Sequence, residues 1–223
     1  MTRGMTLLET AYVDHAHGCG KILSIITPQG VFEDDLSYYF STYRSFFTIE
    51  KILLRFVRGK TLDIGAGPGR ISRYLQGKKI DVTPLDLSPV MKDLAEQNNV
   101  HSYKIGNAFS LSLPDKFDTV LLMGNTIGIC TDREDLKKLF SSCAAHMAPN
   151  GQLLCTATDP TEFGFASSTL ISGILHYNEL SEPFAWFIAG RADIETAAEI
   201  SGLRLDLIEM KDGLAGFVFT KHR

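Results

Sequence analysis

The sequence predicts an α/β fold, a doubly wound and mostly parallel sheet with helices on both faces, and three observations carry that expectation. Short β-prone runs alternate with helical runs of about 10 to 15 residues between positions 61 and 158, the pattern of right-handed βαβ units. A glycine-rich turn, GAGPG at 65–69, joins the first of these strands to the first helix. The 223 residues, 44% of them hydrophobic, suffice for one sizeable core, so one compact unit with an appended cap is expected.

Residues 1–58 read as an N-terminal segment with a cap helix, followed by a 59–223 domain that carries a cap insertion at about 159–190. The run at 34–57 (DDLSYYFSTYRSFFTIEKILLRFV) has apolar residues at 36, 40, 43, 47, 54 and 57, spacings that fit one helix face. Glu33, Asp34 and Asp35 then mark its start, where negative charge meets the positive end of the helix dipole. Ahead of it, DHAHGC at 14–19 is expected to be a polar loop and not a metal site. Adjacent ligands so crowded rarely close a tetrahedron alone, and no downstream C-x-x-C completes one.

The strand at 61–64 (TLDI) leads through the glycine turn into a helix with ISRYLQ, where Pro68 suits the first turn and Arg70 is expected on the helix surface. A second strand at 80–87 is followed by Ser88 and Pro89, an N-cap with proline at the first helical position of VMKDLAEQ. Strands near 100–105, 117–123 and 152–158, with a helix near 133–147, continue the alternation. A helix at 194–200 ends at Gly202, and runs at 203–208 and 215–220, separated by KDG, read as an antiparallel hairpin closing the sheet. Between 159 and 190 lie Phe163, Phe165, Tyr177, Phe184, Trp186 and Phe187, about twice the chain's 10% of aromatics. That enrichment fits a packed β-hairpin or the wall of a substrate pocket.

Charge narrows the partners. The 22 basic and 26 acidic residues give a net charge of -4 with no basic stripe, so nucleic acid is not an expected partner. The apolar runs ILSII and TVLLM fall far short of the ~18 residues of a membrane span, so no membrane partner is expected either. The first residues lack the apolar stretch of a secretory signal and the four cysteines show no CxxC pairing, which together predict a cytoplasmic protein with reduced thiols.

A glycine turn between a parallel strand and a helix lets the backbone approach a ligand closely, and the helix N-terminus offers unpaired N–H groups. Asp86, 17 residues after Gly69 at the end of the second strand, stands where a carboxylate accepts ribose hydroxyl protons. A dinucleotide fingerprint needs a third glycine at position 70, which is Arg70, so a nicotinamide-dependent dehydrogenase is disfavoured.

In order and spacing, TLDIGAGPGR, DVTPLDLSPVM, GNAFSLSLPDKFDTVLLMGNT and APNGQLLCTATD resemble the successive motifs of class I S-adenosylmethionine-dependent methyltransferases, over residues 62–159. LLMGNTIGI further resembles a group of small bacterial members with an aromatic N-terminal helix. The resemblance implies a Rossmann-like, seven-stranded sheet and S-adenosyl-L-methionine as cofactor. It also implies that Asp63 braces the glycine loop and that Gly65, Ala66 and Gly67 admit the methionine part. Asp86 would bind the ribose, Leu87 and Met91 the adenine, Asn107 and Ala108 the adenine edge, and Met123 to Thr126 the floor near the sulfonium. The adenine-edge position is often acidic in the family, and Asn107 departs from that with a neutral acceptor. MGNT replaces the N-P-P-Y run of enzymes that methylate exocyclic base nitrogens. A small-molecule substrate is therefore expected, with Tyr39, Tyr43 and Asn125 as substrate-side residues and Asp159, His176 or Tyr177 as candidate bases. The alternative is a methyltransferase fold that only binds, which the intact set of Gly65, Gly67 and Asp86 argues against.

Overall fold

The computed structural model describes residues 6–221. In chain order it contains α1 (Leu7–Ala16), β1 (Ile22–Thr27), β2 (Gly30–Asp35), α2 (Thr48–Leu53), β3 (Thr61–Ile64), α3 (Arg70–Gly77), β4 (Val82–Asp86), α4 (Pro89–Gln97) and β5 (Lys104–Ile105). There follow β6 (Phe117–Leu122), α5 (Arg133–His146), β7 (Met147–Thr158), β8 (Thr169–Tyr177), β9 (Leu180–Ile188), α6 (Arg191–Ile200), β10 (Leu203–Lys211) and β11 (Leu214–Lys221).

Seven strands form the main sheet in the order β10-β11-β7-β6-β3-β4-β5. The pairs β7–β6, β6–β3, β3–β4 and β4–β5 are parallel, and β11 alone runs the other way, antiparallel to both β7 and β10. This is the sheet and the C-terminal hairpin that the alternation predicts. Both faces are covered, so its central strands are buried and their side chains alternate between two cores. Leu62 and Ile64 join Phe140, Phe217 and Phe219 on one face, while Leu121, Leu154 and Val218 meet Ile71 and Leu75 of α3 on the other. Phe140 and Phe219 meet edge-on with ring centres 5.9 Å apart.

The chain runs outward from β3 to β4 and β5, then returns to the other side of β3 as β6 and β7. The crevice beyond the carboxyl ends of β3 and β6 is therefore the point where the winding reverses, the usual ligand position in open α/β sheets.

A second, four-stranded antiparallel sheet, β2-β1-β8-β9, stands over that end. It combines the N-terminal strands with the insertion, since Ile25 of β1 pairs with Leu175 of β8. The aromatic-rich insertion is thus a β-hairpin, and its inner face turns out to line a cavity as well. Leu23 and Ile25, Phe32 and Asp34, Ile171 and Leu175, and Phe184 and Trp186 follow the two-residue period of strands and all face the cavity.

Three local expectations are corrected. No helix spans 34–57: residues 34 and 35 end β2, short 3-10 turns occupy Leu36–Phe40 and Tyr43–Ser45, and only Thr48–Leu53 is α-helical. The run YYFSTYRSFFT is poor in helix formers, and Asp35 accepts from the Ser37 N–H, which starts a tight turn and no α-helix. Helix α3 begins at Arg70 after Gly69 in the left-handed conformation (φ 84°), so Pro68 precedes the helix instead of opening it. Residues 14–16 of DHAHGC belong to α1, whose start is fixed by a reciprocal capping box between Thr6 and Glu9. In that string, Asp14 accepts from the Tyr177 hydroxyl and His15 Nδ1 bonds the Gly20 carbonyl.

Candidate active site

The glycine turn after β3 is held from three directions. Gly65 N–H and Ala66 N–H donate to the Leu85 carbonyl, the Tyr103 hydroxyl donates to the Gly67 carbonyl at 2.7 Å, and Gly67 N–H donates to Asp86 Oδ2 at 3.1 Å. The other Asp86 oxygen accepts from Ser88 N–H at 3.0 Å. Burial raises the Asp86 carboxyl above the usual carboxylate range against these backbone donors, which pull it down. Ser88 caps α4 as expected, its hydroxyl accepting from Met91 N–H, with Pro89 at the first helical position.

Gly67 (φ 52°) is the residue that opens the loop: a Cβ there would meet no protein atom within 4 Å and would project into open space. At Gly65 (φ 68°) a Cβ would come within 2.6 Å of Thr126, so the loops after β3 and β6 pack directly on each other. These are the features of a cradle in which backbone approaches a ligand closely. Asp63, 2% exposed, stands beneath it, accepting from the Ser72 hydroxyl at 2.6 Å. Burial pushes its carboxyl up to about 6, with Ser72 and Arg70 acting in the opposite direction.

Arg70 is not on the surface. It is 7% exposed, its guanidinium 4.2 Å from the centre of the Tyr38 ring and 4.8 Å from that of Phe46. It donates to both carboxylate oxygens of the buried Glu50 and, at 2.7 Å, to the Tyr38 hydroxyl, which itself donates to Glu50 at 2.9 Å. The aromatic segment therefore sheathes a charge of the core helix, a role invisible in helical spacing.

A cavity of about 1420 Å³ lies between the glycine loop and the antiparallel sheet. It brings together Asp63, Gly65, Ala66, Gly67, Asp86, Leu87, Met91 and Met123 of the cofactor expectation, and Tyr39 and Asn125 of the substrate expectation. Asn125 (φ 65°) is tied to the end of β7, its side-chain oxygen accepting from Thr158 N–H at 2.9 Å and its amide bonding the Thr158 hydroxyl. Asn107 and Ala108 are outside the lining: Asn107 accepts from Phe109 N–H to start a short turn, and Ala108 packs into the core. Tyr43 is also outside, stacked on Tyr74 with ring centres 4.3 Å apart.

None of the three candidate bases reaches the cavity. Asp159 caps the turn that follows β7, His176 bonds Ser181, and Tyr177 bonds Asp14. The carboxylate that sequence reasoning missed is Asp34, on the inner face of β2, where it accepts from the Tyr39 hydroxyl at 2.8 Å. Burial raises its carboxyl, and the Tyr39 bond partly counters this. A period-two reading of VFEDD, with Phe32 and Asp34 on one face, was the available signal.

The site's geometry agrees with what the chain resembles. A model described as a methyltransferase domain matches residues 61–151. Among curated relatives, a ubiquinone biosynthesis O-methyltransferase of Xanthomonas euvesicatoria is 24% identical over 67% of this chain and 68% of its own length. A cypemycin N-terminal methyltransferase of Streptomyces is 30% identical over 47% of this chain and 44% of its own length. Among solved structures, an S-adenosylmethionine-dependent methyltransferase from Bacteroides fragilis, in complex with S-adenosyl-L-homocysteine, superposes with a TM-score of 0.81. It is 21% identical, and the match covers 96% of this chain and 94% of that one. The four ordered motifs, the sheet order, the glycine cradle and the match of residues 61–151 to a methyltransferase domain agree, and the chain carries the motif set and the fold of S-adenosylmethionine-dependent methyltransferases.

Proposed function

We propose that this protein methylates a small molecule enclosed between the glycine loop and the antiparallel sheet. The observation that carries the reading is one cavity, about 1420 Å³, walled on one side by Gly65, Gly67 and Asp86 and on the other by the inner face of β1, β2, β8 and β9. A ligand pocket is commonly ~300–1,000 Å³, so a cofactor and a second small molecule have room together.

The residues present fit the cofactor. The bare backbone at Gly67 leaves the space a Cβ would take, and Asp86 presents a carboxylate for ribose hydroxyls. Leu87 and Met91 offer apolar surface for the adenine, Met123 forms the floor, and Asp63 with the loop backbone faces the methionine end. When bound, S-adenosylmethionine supplies a methyl group carried on a positively charged sulfur. The chain's task is then to align the acceptor and exclude water, which the apolar inner face of the cap sheet serves. Asn107 has no part in this reading.

Calorimetry with S-adenosylhomocysteine tests the cofactor half: Asp86→Asn, which keeps an acceptor for Gly67 N–H but loses the charge, is expected to weaken binding at least ~tenfold. Methyl-transfer assays test the other half, with turnover expected on small-molecule extracts and none on nucleic-acid or protein fractions. Equal turnover on a macromolecular fraction would overturn it.

A further inference from the structure

The relatives' names include both an O- and an N-methyltransferase, so they do not decide the accepting atom. The charge of the cavity bears on it. On the cap side Glu9 and Asp34 contribute to its lining, with Glu33 and Asp35 beside them at the exposed alternate positions of β2, and the loop side adds Asp63 and Asp86. Arg70 is the only basic side chain on the lining among the described residues, and Glu50 already neutralises it. A carboxylate or phosphate on the substrate would find no unpaired basic side chain on this lining, whereas a cation would meet carboxylate on the cap side.

The acids are not scattered evenly. Asp34 projects inward from β2 two residues from Phe32 on the same face, and Phe32 meets Phe163 at 5.5 Å, which in turn meets Trp186 at 5.5 Å. Aromatic faces beside a half-buried carboxylate are a favourable setting for an ammonium group carried on an apolar or aromatic body. Tyr39 donates its hydroxyl proton to Asp34 and stands against Tyr12 with ring centres 5.0 Å apart, which fixes the carboxylate on the wall.

We infer that the methyl acceptor is a primary or secondary amine, and that Asp34 is the residue that anchors it and takes its proton. The inference rests on the methyltransferase reading of the same cavity. The amine arrives protonated and passes one N–H proton to the Asp34 carboxylate, which frees the nitrogen lone pair. That lone pair forms the new N–C bond as the C–S bond breaks, with the bonding electron pair leaving on sulfur. Positive charge thus moves from sulfur to nitrogen, toward the acidic wall. The product departs as an alkylammonium and Asp34 releases its proton to water, so one proton is set free per methyl group. Burial raises the Asp34 carboxyl, which suits a transient proton acceptor.

The test uses a matched series, phenethylamine, 2-phenylethanol and phenylacetate, titrated into the full-length protein saturated with S-adenosylhomocysteine. Trp186 is the chain's single tryptophan and lies on the cavity wall, so indole fluorescence reports occupancy directly without turnover. Phenethylamine is expected to bind at least ~tenfold more tightly than the alcohol, with phenylacetate weakest, and Asp34→Asn is expected to remove most of that preference. Calorimetry on the same variant should give unchanged S-adenosylhomocysteine affinity. Binding of the carboxylate or alcohol as tight as the amine, an unaltered preference in Asp34→Asn, or no fluorescence response to the amine at millimolar concentration would each overturn the inference. Failure of S-adenosylhomocysteine itself to bind the native protein would instead remove the cofactor reading beneath it.

Discussion

Asp63 carries a stability cost that varies with pH. Its carboxyl sits at about 6 in the folded chain against an ordinary value of 3.8, so the folded state binds that proton more tightly than the unfolded state does. Its contribution to stability therefore falls as pH rises from 3.8 through 6 and is level above that window, a total of about 3 kcal/mol. Asp63→Asn keeps an acceptor for Ser72 and removes the ionisation, so it should stabilise the protein at pH 7.5 by up to ~3 kcal/mol. Near pH 4 the advantage should vanish; urea melts at the two pH values measure it. Arg70 behaves oppositely. Arg70→Met leaves Glu50 buried without its partner and should cost about 3–5 kcal/mol, whereas the double variant with Glu50→Gln should recover much of that loss. A double-mutant cycle by chemical denaturation gives the coupling directly.

Among the elements, legibility followed periodicity. The strand at 61–64 and the Ser88–Pro89 helix start were readable because burial on both sheet faces and a side-chain cap leave strong local marks. The 34–57 segment was misread because its apolar residues serve three different neighbours: Leu36 the cap core, Tyr43 the Tyr74 ring and Phe46 the Arg70 guanidinium. Helical spacing there was coincidental. Helix α1 was legible and overlooked, since Thr6 and Glu9 form the T-x-x-E signature of a capping box. At the site, the cofactor half could be read from adjacent residues along the chain. The substrate half depends on β1 and β2 meeting β8 and β9, a long-range pairing with no local mark. The seating of β9 on the core depends on Gly128, where a Cβ would come within 2.1 Å of the Trp186 indole nitrogen. Gly128→Ala should displace that indole, costing about 1–3 kcal/mol and shifting tryptophan emission to longer wavelength. Unchanged emission would show that the hairpin rests on other contacts.

Across the whole molecule, the cap sheet is joined to the core and not merely laid on it. Leu7 N–H donates to Glu182 of β9 at 3.0 Å, Glu9 accepts from Ser88 at the start of α4, and Met91 and Leu94 of α4 share one apolar cluster with Leu23 and Leu175. The helix that carries Met91, one of the two proposed adenine contacts, therefore also supports the cap. Cap and core are expected to unfold together, so Trp186 fluorescence and far-ultraviolet dichroism should give coincident transitions. A cap transition at lower denaturant would show two separable units.

The pairing of β1 with β8 also sets a timetable for a chain made from its N-terminus. Ile25 meets Leu175 about 150 residues later, and at roughly 5 to 20 residues per second the ribosome needs about 8 to 30 seconds to supply the partner. Until then the β1–β2 hairpin is on its own, and an isolated two-stranded hairpin is at best marginally stable in water. Until β8 is made, the β1 edge at Ser24 to Ile26 lacks its second strand partner, and Leu175 and Tyr177 are missing from the apolar cluster around Leu23. The speed of translation therefore sets how long this strand edge stays open to aggregation or to a chaperone.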